Sequence, residues 1–331
     1  MPSLLDRSLL YVTGKGGVGR STVAAALGLA ASAAGKRAII VEVGDQDRLS
    51  DTFGDGGVCD GGGAPGGPVR AGTPPRSIAS TERRLVDDLW GVTIDPQRAL
   101  EEWLATQMGS RTLVRVLFQG NAFQYFVAAA PGARELVTIT KAWELAQPSR
   151  WDKHAVGFDL VIVDASASGH GLGMLRTPQT YGDIARVGPI SKQSARVREF
   201  LSDPTRTGYV AVARAEETPI SETLELETGL RRHLGVGLDL IVVNGVLPRR
   251  LSRADLERLS TVPPTVGPAA RAALHAARTS TGWATAQASQ ISRLRRRAEA
   301  PVTTLPFVFE PHLGLDAVRG LSKKLTRAIT V

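Results

Sequence analysis

The run Gly14-Lys-Gly-Gly-Val-Gly-Arg-Ser-Thr22 holds the residue types that cradle phosphate. It follows an apolar stretch, Ser8–Val12, and opens an Ala- and Leu-rich stretch, Ser21–Ala34, that ends at Gly35. Strand, glycine loop and helix is the context such a loop needs. Glycines at 14, 16, 17 and 19 let backbone N–H groups turn inward around phosphate oxygens, and the helix N-terminus adds its positive dipole end. Val18, Arg20, Ser21 and Thr22 complete the cradle. The usual pattern, G-x-x-x-x-G-K-[ST], places lysine where this chain has Arg20. Arginine keeps the charge but replaces a compact ammonium with a longer planar fork, which alters the geometry at a terminal phosphate.

A second constellation lies at the end of another apolar run, Phe158-Asp-Leu-Val-Ile-Val-Asp164-Ala-Ser-Ala-Ser-Gly-His170. An acidic residue at a strand's carboxyl end beside a phosphate loop can hold magnesium, which prefers oxygen ligands and keeps much of its water. Asp164 is that residue, and Gly169 gives the following loop freedom to sense a terminal phosphate. The bland alternative is an aspartate that caps the next helix.

These residues need a scaffold that brings strand ends together. Apolar stretches at Leu9–Val12, Ala38–Val43, Leu160–Val163, Tyr209–Ala213, Leu240–Val243 and Val302–Phe307 alternate with helical patterns. That alternation predicts an α/β fold: a mostly parallel sheet with helices on both faces, binding its ligand at the carboxyl ends of the strands. Val92–Ile94 is a further strand candidate. Residues 54–80 begin with a glycine- and proline-dominated loop, Gly54–Pro75, and residues 96–147 read as a helical subdomain inserted into a single domain spanning 1–331. The tail, Gly314–Ile329, spaces Leu315, Val318, Leu321, Leu325 and Ile329 as one helical stripe with basic residues between them. Such a helix either packs on the sheet or docks on a membrane surface.

Composition narrows the classes. A hydrophobic content of 43% with 22% charged residues is that of an ordinary globular chain. Asp6 and Arg7 interrupt the first apolar stretch, so no signal peptide is expected and the expected location is the cytoplasm, peripheral to a membrane if the tail docks there. The one cysteine, Cys59, excludes a zinc or iron–sulfur site built from paired cysteines within one chain, and the five histidines show no ligand spacing. The net charge of +8 permits acidic partners. The one dense cluster, Arg293–Arg297, reads as a solvated helix face, which disfavours nucleic acid.

The loop and the Asp164–His170 segment resemble those of the ArsA-type ATPases, which write them G-K-G-G-V-G-K-T and D-T-A-P-T-G-H. Pro131-Gly-Ala-Arg-Glu135 is similar to the family's P-G-x-x-E element. Asn244, in Val242-Val-Asn-Gly, fits its strand-ending asparagine near the adenine, and Leu305-Pro-Phe-Val-Phe-Glu310, with Pro306 and Phe307, resembles its adenine-side loop. The resemblance spans the whole chain in the correct order. It implies a phosphate-loop fold that binds ATP or ADP with Mg2+ held through Ser21 and Asp164. It also implies work as a homodimer, or as a heterodimer with a related ATPase, in which Lys15 crosses the interface. A membrane-protein or other protein client would fit the same scheme.

The departures concern hydrolysis. The family's first switch, D-P-A-H-N-L-S-D-A-F, corresponds to Gly44–Phe53, so its leading aspartate falls on Gly44. A one-residue shift brings in Asp45; Asp47 and Glu42 are other nearby carboxylates. Cys59 alone does not make the family's arsenite site, and the three methionines do not make a methionine-rich client groove. Phe118, Phe123, Tyr125 and Phe126 read as core of the helical block. Three readings therefore stand: an ATP hydrolase, a nucleotide-binding subunit with negligible turnover, and a DNA- or membrane-binding ATPase like the ParA and MinD partition proteins.

Overall fold

The computed structural model describes residues 3–43, 48–54, 82–109, 114, 132–165, 168–185, 187–261 and 267–329. Gly44, Asp45 and Asp47 lie outside those residues, as do the glycine-rich loop from residue 55 with Cys59, and the middle of the helical block with Phe118, Phe123, Tyr125, Phe126 and Pro131.

The strands are β1 Leu9–Gly14, β2 Ala38–Val43, β3 Arg83–Val86, β4 Leu89–Ile94, β5 Leu160–Asp164, β6 Thr207–Arg214, β7 Leu240–Val246 and β8 Val302–Pro306. They form one sheet in the order β3-β4-β2-β5-β1-β6-β7-β8. The pairs are parallel except β3 with β4. The helices are α1 Arg20–Ala33, α2 Arg48–Phe53, α3 Pro96–Met108, α4 Ala133–Leu145, α5 Ser168–Ala185, α6 Pro189–Ser202, α7 Glu217–Leu234, α8 Arg253–Ser260, α9 Pro268–Arg297 and α10 Leu315–Ile329.

Parallel strands covered on both faces must be apolar on both, and all six residues of β1 are buried. Leu10 and Val12 face α1, where they meet Val23, Leu27 and, from α10, Val318, Leu321 and Leu325. Leu9 and Tyr11 face the other way, toward Ile139, Met174, Phe200, Ile220 and Leu294 of α4, α5, α6, α7 and α9. The tail helix thus buries its apolar stripe inside the fold, as one of its two sequence readings expected. Strand order reverses around β1, between β5 and β6, which makes the end of β1 a crevice for ligands.

The expected strands occur within one or two residues of their predicted ends, except that β7 runs three residues further, to Val246. Val92–Ile94 is the end of a longer strand, β4. Strand β3 was not expected. Its four residues, Arg-Arg-Leu-Val, sit at the sheet edge and turn back around Asp87 (φ 46°), so burial imposes no apolar run on them.

A buried charge network ties the helices beyond β4 to that edge. Lys141 of α4 donates to Glu102 of α3 at 2.9 Å and to Glu144 at 2.8 Å. Arg150 donates to Glu144 and Glu82 at 2.7 Å each. Lys141 and Glu144 are both only 1% exposed. Burial alone would push the Glu144 carboxyl up; Lys141 and Arg150 outweigh burial and hold it below its ordinary value. A depressed value in the folded chain means that this contribution is complete above the unfolded value, near 4.5, and is lost as pH falls through the folded one. Glu144→Gln is therefore expected to lower the unfolding free energy at neutral pH by about 3–5 kcal/mol. Urea titrations at a series of pH values check this: the gap between wild type and variant should narrow below the glutamate range.

Candidate functional site

The loop between β1 and α1 is shaped by contacts from β6 and β7. Gly14 has φ +154°, and a Cβ there would overlap the Val212 carbonyl of β6. Gly19 has φ +91°, and a Cβ there would overlap the Asn244 amide of β7. Asn244 Nδ2 donates to the Val18 carbonyl at 3.0 Å, while the Val18 side chain is buried in the core on the α1 side. One residue is therefore held at both its side chain and its carbonyl. Gly16 and Gly17 beside it stay exposed. Gly19 is the N-cap of α1 and offers no side chain to the first-turn N–H groups, and that turn contains no acid. Backbone donors and the positive helix end accordingly face outward without a side-chain competitor at the cap.

Four side chains surround this loop. Ser21 Oγ donates to Asp164 Oδ2 at 2.5 Å, which joins α1 to the end of β5. Asp164 is only 7% exposed and stands in register with Val12 of β1 on one side and Glu42 of β2 on the other. Arg20, also 7% exposed, turns back to donate from Nη1 to the Gly14 carbonyl at 3.2 Å. Lys15 leaves the loop on the opposite side and donates to Glu222 Oε1 of α7 at 2.8 Å.

Glu42 is buried and accepts from the Leu49 N–H at 3.1 Å and the Thr93 hydroxyl at 3.3 Å. Its carboxylate thereby fixes the start of α2 against β4. Asp45 and Asp47 lie outside the described residues, and so do the side chains of Ser168 and His170. The Pro131–Glu135 element survives in part: Gly132 caps α4 in a left-handed conformation next to Thr177 and Tyr181 of α5. Tyr11, whose hydroxyl burial raises well above the tyrosine value against the pull of Arg20, donates to the Gly171 carbonyl at 2.9 Å. Strand β1, the start of α5 and the start of α4 are thus joined in series.

Pro306 ends β8, and the Phe307 N–H donates to the Val246 carbonyl at 2.9 Å. Gly245 (φ +70°) lies beside the Arg214 guanidinium and the Phe307 ring, which a Cβ there would touch. Phe307 and Phe309 meet edge to face at 4.9 Å, and Arg250 lies over Phe309 at 5.0 Å. Sequence reasoning had no signal for Val212, Arg214, Thr93 or Glu222, because each joins the site through topology. Among the described residues, no three His, Cys, Asp or Glu side chains cluster as metal ligands, and no helix is long and apolar enough to cross a membrane.

The family model described as anion-transporting ATPase matches residues 7–188 and 183–260. The chain belongs to this ArsA-type ATPase family. ATPase BagA of Mycobacterium tuberculosis is 30% identical over 265 residues, covering 78% of this chain and 71% of that protein. A putative arsenical pump-driving ATPase of Halobacterium salinarum is 28% identical over 251 residues, and an arsenical pump-driving ATPase of Escherichia coli 25% over 255. Those matches cover 72% of this chain but only 35% and 40% of the pump ATPases, so the chain spans well under half of their length. The fold brings the glycine loop after β1 together with Asp164 at the end of β5.

The packing of Gly19 against Asn244 predicts coupling between them. Gly19→Ala meets both the amide and a positive φ. Asn244→Ala should remove the first obstacle and leave the second. In thermal unfolding, the double variant is expected to be more stable than additivity allows, by about 0.5–3 kcal/mol.

Proposed function

We propose that this ArsA-type chain binds ATP with magnesium and hydrolyses it as a nucleotide-switched dimer. The observation that carries the reading is the 2.5 Å hydrogen bond from Ser21 to Asp164 at the mouth of the glycine loop. Two oxygen donors, one a carboxylate, converge where a helix N-terminus meets a strand end, which suits a hard divalent ion. A magnesium ion held there would supply charge neutralisation during phosphoryl transfer. Ser21 would ligate it and Asp164 would hold it through its water shell. The N–H groups of Gly14 through Thr22 would take the phosphate oxygens. The base would lie along the β6–β8 edge, over Gly245, between Arg214 and Phe307, with Asn244 and Pro306 at its margin.

Little of phosphoryl transfer is covalent work for the protein, so positioning dominates. Glu42 has its oxygens directed to Leu49 and Thr93. That leaves Asp45, reached by the one-residue shift, or Asp47 to orient the attacking water. The series β1, α5, Gly132 and α4 supports transmission of the phosphate state to the helical block, where a protein client or membrane protein would respond. The second copy, or a related ATPase subunit, would receive Lys15.

One observation favours a second reading, a nucleotide-binding subunit with negligible turnover. Arg20 is folded onto the Gly14 carbonyl of its own loop, where a lysine would be shorter and freer. Calorimetry and phosphate release on the pure chain decide between the two. The hydrolase reading expects ATP affinity that needs magnesium, and turnover that falls about 10²-fold or more in Asp164→Asn. Intact affinity without measurable turnover, together with turnover gained by Arg20→Lys, supports the second. Absence of affinity for both ATP and ADP removes both.

A further inference from the structure

Lys15 and Arg20 are the two cations of the glycine loop, and the fold sends them to opposite sides. Arg20 stays over its own loop, on the face of the sheet that carries α1. Lys15 reaches α7, whose Ile220, Leu226 and Leu230 pack on the other face. The ammonium therefore points away from the cradle that Ser21 and the α1 N-terminus form. Its partner, Glu222, lies in the second turn of α7, beside Ser221, which accepts from Arg293 of α9 at 3.2 Å. That contact ties α7 to α9 at the residue next to Glu222. The lysine's own stem is less restrained: the Lys15 and Glu222 side chains keep 40% and 32% of their surface exposed.

We propose that Glu222 is a positioning residue that parks Lys15 in the unassembled chain and releases it when the phosphate of a second copy competes for the ammonium. The proposal rests on the reading of the chain as a nucleotide-switched dimer. Three features fit it. The pair is 207 residues apart in sequence, so its formation reports the folded arrangement of β1 and α7 and not a local turn. It is half-exposed, so water and a competing anion can reach it. An exposed ion pair shifts an equilibrium by no more than about fivefold, whereas a triphosphate offers several charged acceptors to one ammonium. Parking also gives Lys15 a fixed place in the monomer, which keeps a flexible cation from the exposed Gly16–Gly17 crown of its own loop.

The test uses the full chain, magnesium, a slowly hydrolysed ATP analogue and light scattering. Glu222→Gln should lower the analogue concentration for half-maximal association by about two- to fivefold, the amount of equilibrium shift an exposed pair supplies. Its unfolding midpoint should match wild type, which a merely structural role for the pair would not predict. Lys15→Ala should abolish association in both backgrounds. The proposal is overturned if Glu222→Gln leaves the midpoint of association unchanged or raises it, since Glu222 would then be inert or part of the interface itself. It is equally overturned if the chain binds ATP by calorimetry and never associates. Failure of ATP binding in calorimetry removes the nucleotide reading, and the parking role falls with it.

Discussion

The register of β1, β2 and β5, which brings Ser21 to Asp164, is the constraint on which the spacing around the loop depends. The Ser21–Asp164 hydrogen bond fixes the first turn of α1 to the end of β5, across β1. A strand, its neighbour and the following helix can hold that distance only because both strands are buried along their whole length and cannot slide by one residue without exchanging their faces. The short contact is thus a consequence of register. Val12 opposite Asp164, and Asp164 opposite Glu42, place three strand ends at one height. Carboxylates at that height lie beside a helix N-terminus, where negative charge is favoured.

How much of this was legible from residues alone follows from which constraints are local. The loop, its strand and its helix are contiguous, so glycine spacing and apolar periodicity sufficed to locate Gly14–Thr22 and the sheet that bears them. Asp164 was legible for the same reason, as the polar end of a buried run. Arg20 was visible as a departure, yet its direction depends on the Gly14 carbonyl being presented to it, which β6 arranges by crowding that glycine with Val212. Asn244 was expected beside a nucleobase. The fold shows it bracing Val18 and walling Gly19, an effect of β7 lying two strands from β1. Glu222 had no sequence signal at all, since α7 reaches the loop only through the order of the strands. Strand β3 was missed because an edge strand needs no buried face.

The two faces of the sheet divide the work. On one, α1 and α10 share a continuous apolar cluster with β1, β2 and β6, and α10's stripe lies inside it. That contact is mostly apolar, with Ser322 buried among the leucines of α10, and it backs the loop from one side. On the other face a second apolar cluster is joined by polar, directional links. Tyr11 reaches Gly171, Gly132 rests on Thr177 and Tyr181, and Lys141 and Arg150 converge on Glu144. Directional contacts of this kind have discrete alternatives, and switching elements need bistable arrangements of that sort.

The same division explains why the loop contains two cations with different side chains. A buried position over the loop's own backbone suits arginine, whose planar fork stays charged and can donate to a carbonyl while keeping other donors for an anion. A half-exposed position at the junction of two helices suits lysine, a hydrated point charge on a flexible stem that can exchange one acceptor for another at little cost. An ammonium at position 20 would still keep two of its three donors for an anion after meeting the Gly14 carbonyl, as the lysine of the usual loop pattern does, so what distinguishes Arg20 is the reach and planarity of its fork. The loop's electrostatics follow from where β1, α1 and α7 place each stem.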